Sequence, residues 1–424
     1  MRSCEQGVPA VIGLDGSSTV GGRRVREAAV DQARGRAVVV GAGIGGLAAA
    51  VGLRRAGWDV TVLERAAQLG EVGAGLSLWS NALSALEWLE LAGPLRAHGT
   101  TTDGGGLRTS TGGWLLRSPA LQPGEVPPVS LLMVHRADLH RELLAGLPAG
   151  VVRTGSTVTG LDAGSAAAPA RVTYTDGAGQ RHLDAEVVVG ADGLRSPVRQ
   201  LLWPDAPPPA YTGLTAWRGV TDERFALAEG SQTWGRGESV GLVTLVDGRV
   251  YWYATAQLPE GTDVADDRAE ALRRFGGWHE PIADVIAATR PEAVLRHDLY
   301  ALPRPLPRSC RGRVALLGDA AHAMTPHLGQ GACMALEDAV VLAAELSAGT
   351  DVGAALQRYD GQRRPRTEKM SAQSDRAGRP VEVSGAVPAA LRNGLVRLVP
   401  RRLALAGMAG PTRWSPPAPL RLGA

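Results

Sequence analysis

The chain has 424 residues, room for two or three domains, and its 45 basic and 42 acidic side chains leave a net charge of only +3. That balance, with no basic run interleaved with aromatics, argues against a nucleic-acid binder. Cys4, Cys310 and Cys333 are odd in number and lack C-x-x-C or metal spacing, so they read as reduced thiols rather than as a disulfide frame or a zinc site.

Residues 1–35 are rich in glycine, serine and charge, without an apolar period, and are expected to form a disordered extension. They lack the apolar core of a signal peptide. Ala37 to Val40 is a short β-branched run, the pattern of a strand buried on both faces. It enters Gly41, Gly43 and Gly46, spaced G-x-G-x-x-G, and Leu47 to Ala56 then reads as a helix. In such a unit the first glycine turns the strand, the second admits a pyrophosphate, and the third lets the helix pack on the sheet. A second strand, Asp59 to Leu63, ends at Glu64, placed to hydrogen-bond a ribose hydroxyl. An acid there favours a free 2′-hydroxyl, so FAD or NAD fits this site better than NADP.

Beyond Glu64, Gly70 to Gly75 reads as a loop, Asn81 to His98 as a helix, and Gly104 to Arg117 as a hairpin around Thr111-Gly112-Gly113. A loop at 119–128 and a helix at 136–147 follow. Glu186 to Gly190 is another apolar strand, leading into Asp192-Gly193. Prolines at 204–209 mark a domain crossing. From Ala210 to Leu258 the texture changes to short alternating strands carrying Trp217, Tyr251, Trp252 and Tyr253. Val314 to Leu317 is one more buried strand, followed by Gly318-Asp319 and, after Gly329-Gln330-Gly331, a long helix at 332–348. Leu391 to Leu405 is apolar and flanked by arginines. It stays open between a helix lying on a membrane surface and one packed on the protein.

Three apolar strands thus end in glycine-and-acid turns, and buried parallel strands deliver such turns to one crevice. Gly41-x-Gly43-x-x-Gly46, Asp192-Gly193, and Gly318-Asp319 through Pro326 to Gly331, in this order, resemble the class A flavoprotein monooxygenases of the para-hydroxybenzoate hydroxylase type. Salicylate and 3-hydroxybenzoate hydroxylases and zeaxanthin epoxidase-like proteins share the arrangement. The resemblance implies an α/β fold. A Rossmann-like FAD-binding domain of the glutathione-reductase type would take residues 36–101, 131–205 and 296–348. A mostly antiparallel substrate domain would take 102–130 and 206–295, with C-terminal helices and tail at 349–424.

It also implies FAD, tightly but non-covalently bound, and NADH or NADPH as reductant. Oxygen would pass from O2 to a small aromatic substrate through a C4a-hydroperoxyflavin. Gly41, Ala42, Gly43 and Gly46 would meet the pyrophosphate, Glu64 and Arg65 the adenosine end, and Val158 the adenine. Arg136 would contact FAD phosphates or ribitol, and Asp319 the ribitol. Pro326, Gly329, Gly331 and Ala332 would lie beside the isoalloxazine, and Asp192 near both FAD and the nicotinamide. Blander roles stay open: a helix cap for Arg136, an ordered turn for Asp192. Arg218 and His327 are the candidates for catalysis, with a solvated or ion-paired strand arginine as the open alternative for Arg218 and a structural role for His322. No metal is expected, and the chain should be cytoplasmic, without stable membrane insertion, as a monomer or homodimer. Epoxidation of a polyene, another tailoring oxygenation, or a non-catalytic flavin-binding role are the alternatives.

Overall fold

The computed structural model describes residues 34–70, 74–101, 105–118, 131–349 and 351–420. The expected extension, up to residue 33, and the loop at 119–128 lie outside them. A six-stranded sheet holds the three turns. Its order is Cys310–Arg311, Val314–Leu316, Val187–Gly190, Arg36–Val40, Asp59–Leu63 and Val152–Arg153, parallel except for the Cys310–Arg311 edge. Val38 and Val39 are fully buried because both faces of this sheet are covered. The chain is therefore α/β with a doubly covered parallel sheet.

Helix Ile44–Arg55 packs on helix Gly331–Ser347. A Cβ on Gly52 would stand only 2.9 Å from the Ala343 Cβ, so the small residues of both helices permit the approach. The expected single helix at 81–98 is two, Ser80–Trp88 and Ala92–Ala97. Glu90 has a φ of 60° and breaks the periodic run.

A seven-stranded sheet forms the second layer. Its order is Leu295–Ala301, Ala210–Val220, Val250–Gln257, Glu238–Thr244, Ser231–Trp234, Gly105–Thr109 and Trp114–Ser118. The hairpin turns at Gly112, whose φ is 89°. Strand Leu295–Ala301, grouped by sequence with the FAD-binding segments, pairs instead along Ala210–Val220 in this sheet. One face buries Trp217, Trp252, Val240 and Ala254 against helices Asp267–Phe275 and Ile282–Ala287. The other face meets Ala74 and Met133, beside and within a three-stranded sheet of Gly75–Trp79, Leu131–His135 and Thr100–Thr101.

Candidate active site

The first strand ends in a turn built for glycine. Gly41 has a φ of 103°, and a Cβ there would lie 2.5 Å from the Ala191 carbonyl oxygen. A Cβ on Gly46 would overlap the Gly41 carbonyl oxygen itself. Gly43 is different. Its φ of −74° suits any residue, yet nothing lies within 4 Å of where its Cβ would be. Helix Ile44–Arg55 starts there without a side-chain cap, so its first N–H groups face open space.

Glu64 closes the neighbouring strand with both carboxylate oxygens anchored. Oε2 accepts from the Ala42 N–H and Oε1 from the Ala66 N–H, each at 2.8 Å. An ionised carboxylate has lone pairs to spare beyond these two bonds. Arg65 beside it is exposed. His140, buried on helix Arg136–Ala145, has its Nε2 2.9 Å from the Ala42 oxygen and ties that helix to the turn. Arg136 opens the helix and donates its backbone N–H to Ala74. The Val158 side chain is buried among Val38, Val40 and Leu63, while Ser156 N–H bonds the Glu64 carbonyl.

In the second turn, the Asp192 carboxylate accepts from Ser196 Oγ at 2.5 Å and from the Val198 N–H at 2.9 Å. Burial pushes its pKa up, and these bonds oppose the rise. Asp192 therefore orders its own turn. Arg199 donates to the carbonyls of Leu194 and Ala320 and joins this turn to the third.

The third turn leaves Asp319 exposed at the strand end, its Oδ1 4.0 Å from where a Gly331 Cβ would be. Pro326–Leu328 is a single 3-10 turn. Gly329 follows with a φ of 60°, close over Trp79 Nε1, a buried N–H without a partner among the described residues. Helix Gly331–Ser347 begins uncapped, so the N–H groups of Gly331 and Ala332 lack intrahelical partners.

Beneath this helix start lies a charged network centred on the buried Glu337, Asp338 and Arg363. Arg363 donates to Asp338 Oδ1 and to Glu337 Oε2, both at 2.6 Å. Asp338 Oδ2 accepts from the Gly318 N–H at 2.9 Å and faces His322 Nε2 at 2.5 Å. Glu337 also accepts from Nε and Nη2 of Arg366 and, at 2.7 Å, from Asn81 Nδ2, which reaches on to Gln330. Burial alone would raise the Asp338 pKa. His322, Arg363 and the hydrogen bonds outweigh it and hold the carboxyl far below the usual carboxylate range. The network fixes Gly318 and Gln330, the residues just before Asp319 and Gly331. Sequence reading missed it, although Glu337-Asp338 inside an apolar helical run was a legible signal.

His327 turns away from this crevice. Its ring packs on Gly378, and its Nε2 lies 3.4 Å from Glu382 Oε1, without hydrogen-bond alignment. Arg218 points the other way. Cross-strand pairing sets Arg218 beside Tyr253, and Val220 beside Tyr251. The Tyr251 ring covers Gly75, where no Cβ would fit, and packs with Met133. Gly75 belongs to the strand whose Ser77 and Trp79 border Gly329, so the Arg218 face and the third turn share one wall. The other charged residues of strands Leu295–Ala301, Ala210–Val220, Val250–Gln257 and Glu238–Thr244, namely Arg296, Asp298 and Glu238, pair with positions on the opposite face. Arg218 is half-buried and makes no hydrogen bond or ion pair with any described residue. The Tyr251 and Tyr253 hydroxyls also lack partners among the described residues, and burial raises both phenol pKa values.

Residues 35–374 match the family model of the FAD binding domain. The chain belongs to the class A flavin monooxygenase family. Over 365 residues it is 38% identical to an aurachin C monooxygenase/isomerase from Stigmatella aurantiaca, covering 85% of this chain and 94% of the relative. It is 36% identical to a 2-heptyl-3-hydroxy-4(1H)-quinolone synthase from Pseudomonas aeruginosa, covering 86% and 94%. The structure of Klebsiella pneumoniae HpxO complexed with FAD and uric acid superposes with a TM-score of 0.79 at 29% identity, covering 89% of this chain and 96% of that one.

FAD is the cofactor of this flavin monooxygenase, and the crevice fits it. The open space at Gly43, the uncapped helix start, the anchored Glu64 and the exposed Asp319 carboxylate are what a dinucleotide needs.

Proposed function

We propose that this flavin monooxygenase consumes NADH or NADPH and inserts one oxygen atom from O2 into a small heteroaromatic substrate bearing a ring hydroxyl or lactam. FAD supplies the activated oxygen. The protein binds and orients the ring, keeps water out, and holds negative charge on the substrate. One observation carries this reading: Arg218, a half-buried guanidinium without a hydrogen bond or ion pair to any described residue, stands beside two phenols whose hydroxyls also lack a partner among the described residues, on the sheet face toward the flavin turn. An anionic or carbonyl oxygen satisfies that group, and a ring made electron-rich by its own negative charge is the better oxygen acceptor. Two relatives are named for a hydroxyquinolone and an aurachin, which supports a bicyclic lactam over a simple phenol.

Arg218 takes the catalytic role in this reading, and His327 a packing role against the C-terminal helix. Asp319 would bond the ribitol and Glu64 the adenosine ribose, and the N–H groups of Gly331 and Ala332 would serve as donors to the flavin ring. Val158 and Arg65 would hold the adenine end, Arg136 the phosphates, and Pro326 and Gly329 the isoalloxazine.

The test is O2-dependent NADH or NADPH oxidation by the FAD-loaded protein, with product analysis, over 4-quinolones, urate and salicylate. One of these should accelerate oxidation and gain an oxygen atom. Arg218→Met should keep its FAD and lose about a hundredfold or more in kcat/KM, the scale of removing one preorganised charge-stabilising donor. Unchanged turnover in this variant would dismiss the assignment. Asp319→Ala should weaken FAD binding by about tenfold to a hundredfold, matching a lost hydrogen bond to a charged group of ~1.5–3 kcal/mol. Fluorescence titration of the apoprotein with FAD reads this directly, and an unchanged affinity would remove Asp319 from the site.

A further inference from the structure

Helix Ala386–Leu398 is inside out. It buries Arg392, whose guanidinium donates to the carbonyls of Pro380 and Gly235 and lies 5.3 Å from the Trp234 ring centre. Its aliphatic side chains face outward instead: Val387 is 71% exposed, Leu391 65%, Leu395 67% and Leu398 78%. The spacing of i, i+4, i+8 and i+11 puts the four on one stripe. Val399 and Leu403 extend it past the helix end, both exposed. A contiguous leucine stripe of this kind marks a surface that something covers.

The charge around the stripe says what covers it. No Asp or Glu follows Glu382, whereas, besides the buried Arg392, the sequence places arginine at 397, 401, 402, 413 and 421. The rest of the chain is close to neutral, so this segment concentrates positive charge. An apolar stripe bordered by arginine and free of acids is the composition of a helix lying in a membrane interface. A second copy meeting this face would set arginine against arginine with no acid between them.

We propose that helix Ala386–Leu398 and the corner to Leu403 dock the protein on an anionic lipid surface, with leucines at the acyl boundary and arginines among the phosphates. Among the described residues no helix is long and apolar enough to cross a membrane, so the contact is interfacial. A cavity of about 320 Å³ opens close by, lined by Leu214, Gln257, Leu258 and Glu382, and Glu382 precedes the helix by four residues. Leu214 lies on the strand that carries Arg218. A lipophilic substrate dissolved in the lipid would have a short way to that strand. This last consequence rests on the oxygenase reading above, whereas docking itself does not.

The experiment is co-sedimentation of the FAD-loaded protein with vesicles of phosphatidylcholine, alone and mixed with phosphatidylglycerol. Binding is expected with phosphatidylglycerol only, and should weaken as salt rises. The double variant Leu391→Ser/Leu395→Ser should lose about tenfold or more in partitioning, and Arg397→Glu should also weaken it. Both variants should keep the flavin spectrum and the turnover in solution, which shows that they are folded. Three results overturn the proposal: no binding to either vesicle, serine variants that bind like the parent, or a dimer that the serine substitutions dissociate while vesicles leave it intact. None of these depends on turnover, so a failure of docking and a failure of the oxygenase reading stay distinguishable.

Discussion

Two glycines three residues apart are expected to fail in opposite ways when replaced. Gly46→Ala should lose stability and FAD together, whereas Gly43→Val should fold as the parent apoprotein does and bind almost no FAD. The reason is what each Cβ would meet. At Gly46 it would overlap the Gly41 carbonyl oxygen and stand only 3.2 Å from the Ala191 Cβ. Neither obstacle is a flexible side-chain end, so the helix must shift off the strand. Forced overpacking costs about 1–3 kcal/mol or more, a large share of a total stability of roughly 5–15 kcal/mol. At Gly43 the backbone is extended and the space is open, so valine is tolerated by the protein alone. It then occupies the volume that the pyrophosphate needs, and affinity should fall by about a hundredfold or more, some 2.7 kcal/mol. Thermal melts of both apoproteins, with FAD titrations, check the pair. A Gly43→Val protein that purifies with its full flavin complement would refute the assignment of this turn.

Arg363→Met should be the most damaging single change outside the crevice. It strands Asp338 without a partner at Oδ1, while Glu337 keeps Arg366 and Asn81. Breaking a buried pair from one side costs about 3–5 kcal/mol, because a desolvated charge is left behind. The pH dependence separates this from simple loss of packing. In the parent, the Asp338 pKa is depressed on folding. The stability this contributes is therefore present above the unfolded-state value, about 3.9, and disappears as pH falls through the lower folded-state value. In the variant only His322 and the Gly318 N–H still favour the carboxylate, so the depression is weaker and Asp338 protonates at a higher pH than in the parent. The deficit in unfolding free energy should thus be largest near neutral pH and shrink in acid. Denaturant melts across that range decide, and a deficit that grows on acidification would contradict the charge account. Adding Asp338→Asn to Arg363→Met should restore part of the loss, since the stranded charge is then absent. FAD affinity should fall in the single variant as well, because Asp338 also holds the Gly318 N–H beside Asp319.

What the sequence determined by itself was local and periodic. Val38-Val39-Val40 into Gly41-x-Gly43-x-x-Gly46 announced a buried strand, a tight turn and a phosphate-facing helix, since each property is written within a few neighbouring residues. The short strands after Ala210 announced an antiparallel sheet in the same way. The helix break at Glu90 escaped because nothing in the apolar spacing of 81–98 requires it. The tertiary structure alone decided which way each side chain faces and what it meets. Arg218 and His327 looked alike as candidates, yet the pairing of Arg218 with Tyr253 turns one inward, and Gly378, 51 residues beyond His327, draws the other away. Arg363, Asp338, Gly318 and Asn81 come from four distant segments, and no one-dimensional pattern records that their polar groups meet in one buried network. The arginine-flanked leucines after residue 386 were visible as a stripe, but only the docking of Arg392 on Gly235 showed that the leucines face outward. Periodicity fixes an element and its two faces, whereas the choice of which face is buried belongs to packing between distant parts of the chain.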